Sequence, residues 1–139
     1  MAILITGGCG LAGSFAVRYG VERGEKIVVF DLALKTELLH DAVDQVTLVR
    51  GDVLHLAELS HTIQSHAIDR ILHAASFLTP AAYERPYAAA HTSVMGTLNV
   101  LECARLYGIK RVVYVITAKA IRSGPVYGQS VESGEIPLE

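Results

Sequence analysis

Met1-Ala2-Ile3-Leu4-Ile5-Thr6-Gly7-Gly8-Cys9-Gly10-Leu11-Ala12-Gly13-Ser14 opens the chain with an apolar run, a cluster of glycines and the start of a new periodicity. Ile3, Leu4 and Ile5 stand together without a polar interruption, which suits a strand covered on both faces of a parallel sheet. The strand stops at glycine. Beyond it Ala12, Phe15, Ala16 and Tyr19 recur at i, i+3, i+4 and i+7, which predicts a helix from about Leu11 with those residues as its apolar stripe. The opening therefore reads strand, tight turn, helix.

Gly7, Gly10 and Gly13 are spaced three apart, and each has a physical use if a diphosphate lies over the turn. The first lets the backbone reverse, the second removes any side chain between backbone and phosphate, and the third lets helix and strand approach. The amides at the helix start, those of Leu11, Ala12 and Gly13, then face the anion with the positive end of the helix dipole behind them. Gly-rich turns are common, and three glycines alone are a weak signal. The next apolar run, Ile27-Val28-Val29-Phe30, ends in Asp31 about twenty residues further on, where a dinucleotide fold places an acid against the adenosine ribose. That carboxylate would repel a 2′-phosphate, and no Arg adjoins it, so NAD is favoured over NADP. The plainer alternative is that Asp31 ends a strand or closes a turn.

Thr6-Gly7-Gly8-Cys9-Gly10-Leu11-Ala12-Gly13 followed by Val29-Phe30-Asp31 resembles the start of an extended short-chain dehydrogenase/reductase of the NAD-dependent epimerase/dehydratase family. The resemblance implies a Rossmann-like α/β fold, NAD as cofactor and, in a complete enzyme, transient hydride transfer on a sugar nucleotide.

The 139 residues are one domain's worth. A 51% hydrophobic, 19% charged composition fits buried parallel strands, and a formal net charge of −2 leaves no basic footprint for nucleic acid or a membrane surface. Small-molecule chemistry is the better expectation. Cys9 and Cys103 have no paired spacing and read as free thiols in a reducing cytoplasm. A strand begins at once, with no basic start or small-residue cleavage site, so no secretory signal is expected, and no apolar run approaches a membrane span.

Further along, Lys35 to Asp44 contains a short helical candidate and Val46-Thr47-Leu48-Val49 a third strand. Asp52-Val53 comes next. In the family resembled, this pair holds the adenine, the Asp side chain accepting from the exocyclic amine and the next amide meeting the ring. Asp52 equally suits a cap for the helix after it, in which Leu56, Leu59 and Ile63 share a face. His55, His61 and His66 are spaced six and five apart, off the i, i+4 spacing of a helical metal pair, and no metal is expected. A fourth strand, Arg70 to Ala75, ends in small residues at the edge where an open α/β sheet binds its ligand. Ala74, Ala75 and Ser76 would let the cofactor pass close to the backbone, or would serve close packing alone.

Pro80 and Pro86 precede a helix predicted over Tyr87 to Tyr107, with Val94, Leu98 and Leu101 on its packed face and Gly108 as its stop. Ser93-Val94-Met95-Gly96-Thr97-Leu98-Asn99 resembles the family's Asn-Val-x-Gly-Thr-x-Asn pattern, with Ser93 in place of Asn. Arg111 to Ile116 is the fifth strand. Strands alternating with helices predict a doubly wound parallel sheet of order 3-2-1-4-5.

In the family, a hydroxyl at the end of the fifth strand polarises the substrate's carbinol, and the resemblance gives Thr117 that role. The family's catalytic Tyr-x-x-x-Lys pair, in which the Lys charge lowers the phenol's pKa, has no counterpart. Tyr19 and Tyr107 find Arg23 and Arg111 at i+4, and Tyr83, Tyr87, Tyr114 and Tyr127 find Tyr87, His91, Ala118 and Val131. The expectation is an NAD-binding unit over residues 1–128 truncated before the catalytic helix, a loop-like tail over 129–139, and no substrate domain. Such a unit alone would be inactive, and its uncovered helix predicts a homo-oligomer. The alternative is a non-catalytic dinucleotide-binding sensor or a subunit completed by a partner. A methyltransferase, which also has a glycine turn and an acid after the second strand, is the third reading and fits the Asp52 and His73 segments less well.

Overall fold

The opening apolar run forms β1 (Ala2–Thr6), the central strand of a computed structural model that describes residues 1–116. With β2 (Ile27–Asp31), β3 (Thr47–Arg50), β4 (Ile68–His73) and β5 (Arg111–Tyr114) it makes one sheet, all pairs parallel, in the order 3-2-1-4-5. The register sets Thr6 beside Phe30 on one side and His73 on the other, and Asp31 beside Arg50, so these strands finish along one edge.

Alternation along β1 and β2 splits the core into two layers. Leu4, Val28, Phe30 and Ile71 are buried with Leu59 and Ile63 of α2 (Leu56–Ser65) and Val100 and Cys103 of α5 (Thr97–Tyr107). On the other face Ile5, Ile27 and Val29 pack with Val17 of α1 (Leu11–Glu22) and with Leu39 and Ala42, the latter in a 3-10 turn over His40–Gln45. Each fully buried Leu, Ile or Phe contributes about 1.5–3 kcal/mol, so the continuous apolar strands supply the main stabilisation.

The face of α1 differs from the one its periodicity predicts. Phe15 and Tyr19 are 61% and 60% exposed, and Gly13, Ser14, Val17 and Gly20 are buried instead. The helix lies too close to the sheet for large side chains. A Cβ on Gly13 would collide with the Gly7 carbonyl oxygen, and one on Gly20 would sit 2.7 Å from Ile27 Cδ1. The displaced aromatics are covered by cations, Arg18 lying 4.5 Å over the Phe15 ring and Arg23 5.3 Å over Tyr19.

The expected Tyr87–Tyr107 helix is also more complicated. After α3 (Thr79–Glu84), α4 (Pro86–His91) passes through a π-helical turn over Thr92–Gly96 into α5. Buried Ala89 of α4 is followed on the same stripe by Ser93, Gly96, Thr97, Val100 and Cys103, while Val94 and Leu101 are half-buried and Leu98 is 37% exposed, so the packed face lies one residue away from the expected one. Gly108 ends α5 with φ +63°, as a helix-stopping glycine does. In α2, Leu56 is on the surface, and the packed face reduces to Leu59, Thr62 and Ile63. β4 begins and stops two residues earlier than expected, because the chain leaves the ladder at Ala74 after a last bond from its amide to the Thr6 carbonyl (3.0 Å). Among the described residues no helix is long and apolar enough to cross a membrane.

Candidate functional site

At the carboxyl edge of β1 the chain turns at Gly7, whose φ of +67° favours a residue without Cβ. Its amide bonds the Phe30 carbonyl (2.9 Å), and a Cβ there would lie 2.7 Å from the Ala75 backbone. The glycine turn is thus wedged between the ends of β2 and β4. The Gly10 amide closes the turn on the Gly7 carbonyl at 3.0 Å, and Gly10 itself is exposed. Gly10 is the N-cap of α1 and supplies no side-chain acceptor, so the first amides of the helix, from Leu11 to Gly13, have no side-chain cap. The first bond back into the helix is Ser14 N–H to the Gly10 carbonyl, 2.8 Å. Uncapped amides at the positive end of a helix form an anion site.

Asp31 stands beside this turn and is half-buried. Its Oδ2 accepts the Cys9 amide at 3.0 Å and its Oδ1 the Ala33 amide at 3.2 Å. The carboxylate straps the glycine turn to the end of β2, so the turn-closing role exists. An ionised carboxylate has about four acceptor positions, which leaves capacity for two hydroxyls. The Cys9 thiol is pushed up to about 11, first by burial and then by the Asp31 charge, which keeps it protonated and unreactive.

Asp52 does not cap α2. His55 is the N-cap and makes no side-chain bond there, while Asp52 Oδ1 accepts the Leu54 amide (2.9 Å) and closes a local turn. The Asp52 amide donates to Glu58 Oε2 at 2.9 Å, and Glu58 Oε1 meets His55 Nδ1 at 3.1 Å. That contact raises the His55 pKa on an exposed surface. Val53 is buried, and its carbonyl accepts Asn99 Nδ2 at 2.9 Å. Ala74 and Ala75 are half-buried and Ser76 is exposed, lining the same edge beside Gly7.

His73 is the functional-edge residue that sequence reasoning passed over as part of a segment. It is buried, with Nδ1 2.6 Å from Thr6 Oγ1 and Nε2 3.1 Å from Thr97 Oγ1. Thr97 Oγ1 donates its single proton to the Ser93 carbonyl (2.6 Å), so it accepts from His73 Nε2–H, and Thr6 donates to Nδ1. Burial pushes the imidazole down to about 4, which keeps it neutral in this arrangement. Tyr114 stacks on the ring at 5.2 Å. The available signal was the i, i+4 pair Ser93 and Thr97 with Gly96 between them, a stripe of small residues, two of them polar, on one helix face.

The remaining candidates are dispersed. Tyr19 and Arg23 meet at 3.1 Å on the outer surface of α1, and Tyr87 stacks on His91. Cys9 and Cys103 are free and buried. Among the described residues no three His, Cys, Asp or Glu side chains gather as metal ligands. Thr117, the Val126-Tyr127-Gly128 stretch and the tail over 129–139 lie outside the described residues.

The family described as NAD dependent epimerase/dehydratase matches residues 3–137. A UDP-glucose 4-epimerase of Halalkalibacterium halodurans is 31% identical, the match covering 100% of this chain and 39% of that protein. A dTDP-glucose 4,6-dehydratase of Mycobacterium tuberculosis is 33% identical over 79% of this chain and 34% of its own length. Among solved structures, the Bordetella bronchiseptica enzyme WbmG in complex with NAD superposes with a TM-score of 0.84 at 29% identity, covering 96% of this chain and 47% of that one. The chain thus spans about two fifths of the first curated relatives it matches and about half of the solved chain.

Proposed function

Because the chain belongs to the NAD-dependent epimerase/dehydratase family, we propose that its glycine turn holds NAD and that it is the cofactor-binding portion of an enzyme acting on a sugar nucleotide by transient hydride transfer. The observation that carries this reading is the convergence of an uncapped helix start, an exposed Gly10 and the Asp31 carboxylate on one edge of the sheet. A diphosphate fits over Gly7 and Gly10 against the amides of Leu11, Ala12 and Gly13. Asp31 takes the adenosine ribose hydroxyls on its remaining lone pairs and disfavours a 2′-phosphate. Asp52 and Val53 border the adenine, and Ala74, Ala75 and Ser76 leave room for the other half of the dinucleotide. When bound, the nicotinamide supplies a hydride acceptor and donor. Thr117 is the candidate to orient the substrate carbinol.

Residues 1–128 form the binding unit in this reading, with 129–139 as a tail. No tyrosine of the sequence has a lysine at i+4, which supports an inactive unit when this chain is alone. The same observation favours the second reading, a dinucleotide-binding sensor or a subunit completed by a partner. Calorimetric titration tests the shared premise. NAD is expected to bind, NADP more weakly, and Asp31→Ala to weaken NAD at least about tenfold, which is about 1.4 kcal/mol. A folded chain that ignores NAD, or prefers adenosylmethionine, overturns the proposal.

A further inference from the structure

We propose that the start of α5 is a positioning element for the cofactor, in which Thr97, through His73, fixes the diphosphate turn while Asn99 separately fixes the adenine-side loop. The inference rests on the NAD reading above and assigns residues that touch no part of the ligand. From its first turn, α5 is bonded directly to the loop after β3 and to the end of β4, and through the β4 histidine to the end of β1. Thr97 Oγ1 accepts His73 Nε2–H at the end of β4, and the same ring accepts the Thr6 hydroxyl at the end of β1. Thr6 immediately precedes Gly7, and two residues beyond His73 the Ala75 backbone lies against Gly7. A shift of the imidazole therefore moves both walls of the glycine turn.

The other arm is independent. Asn99 Nδ2 holds the Val53 carbonyl at 2.9 Å, and Gly96 admits the Val53 side chain, since a Cβ there would lie 2.7 Å from Val53 Cγ2. Val53 adjoins Asp52 in the loop after β3. The π turn over Thr92–Gly96 leads directly into the helix start that carries Thr97 and Asn99. Thr97 satisfies the Ser93 carbonyl at 2.6 Å with its proton, the i to i−4 bond usual for a helical threonine, which leaves the hydroxyl oxygen to accept from the histidine. A π turn in a helix next to a binding edge is a recurrent feature of functional sites, and buried hydrogen-bonded side chains with locked rotamers hold a site to the tolerance binding needs.

The two arms predict a separable effect on pieces of the cofactor. Affinities of the full chain for AMP, ADP-ribose and NAD are measured by calorimetry, with thermal unfolding as a control. Asn99→Ala is expected to weaken AMP about tenfold and to leave the ratio of ADP-ribose to AMP affinity unchanged. Thr97→Val is expected to leave AMP within about twofold and to lower that ratio about tenfold, with Thr97→Ser restoring it. A uniform loss across all three ligands that follows the unfolding temperature would reduce α5 to a packing element and overturn the proposal. Unchanged affinities would overturn it too. If Thr97→Val does not fold, the half-buried Asn99→Ala and the conservative Thr97→Ser decide alone: wild-type AMP affinity in the former, or an ADP-ribose to AMP ratio reduced in the latter, refutes the scheme. Failure of the wild-type chain to bind NAD is a different result, and it counts against the cofactor reading itself.

Discussion

At the scale of single residues, the ends of β1 and β4 are joined by neutral hydrogen bonds through a buried histidine, and this gives the edge a defined response to acid. His73 is neutral in the fold with its pKa lowered from 6.5 to about 4 by burial. The unfolded chain therefore binds a proton at this residue that the folded chain refuses. This contribution to stability is whole above pH 6.5, is lost as pH falls towards 4, and stays lost below that. The difference between those two values corresponds to about 3 kcal/mol. Urea unfolding at several pH values is expected to show the wild type losing stability through this window more steeply than His73→Gln. Parallel profiles would mean that another group carries the acid sensitivity. The histidine's role was hidden in the sequence because its partners are at positions 6 and 97, and no local pattern joins them. The place of Asp31 at the end of β2, beside the glycine turn, was legible because it closes the second apolar run.

At the scale of elements, α1 shows how backbone proximity overrides side-chain periodicity. Gly13 and Gly20 both lie against the sheet, but they meet different obstacles. The Gly13 position is blocked by backbone, the Gly7 carbonyl, whereas Gly20 faces the far end of the flexible Ile27 side chain at 2.7 Å. Gly13→Ala is accordingly expected to destabilise the chain by about 2–3 kcal/mol and to disturb the glycine turn, as overpacking against an immovable wall does. Gly20→Ala gains helix propensity of about 1 kcal/mol and needs only a rotamer change, so its net effect on the unfolding midpoint is expected to be small. Equal effects would show that the helix can shift on the sheet. The strands and their order were readable, since continuous apolar runs alternating with helices admit few arrangements. The helix faces were not, since Ala12, Phe15 and Tyr19 formed a stripe as regular as a buried one. The π turn escaped for a related reason: it inserts a residue without altering composition.

At the scale of the whole molecule, ion pairs tie the amino-terminal edge of the sheet, and one helical segment carries exposed apolar side chains. The Glu25–Arg70 pair (2.7 Å) and the Asp69–Lys110 pair (3.3 Å) sit at the amino-terminal edge of the sheet, away from the cradle. The outer side of the α4–α5 segment instead shows Tyr87, Met95 and Leu98, at 83%, 41% and 37% exposure. Burying these side chains against a second copy would remove them from water, and multi-angle light scattering is expected to find dimers or larger species at high concentration. A monodisperse monomer would contradict that expectation. The family could be read from the first third of the chain. The substrate could not, because the relatives extend well beyond the portion this chain matches.

The central strand β1 is made before both of its neighbours in the sheet, which has a consequence for synthesis. β1 can join β2 once the chain reaches Asp31, but its other neighbour is complete only at His73. At about 5–20 residues per second on the ribosome, nascent β1 waits several seconds with one flank unmatched. Chaperone capture of stalled nascent chains should therefore peak between these two lengths and fall once the histidine has emerged.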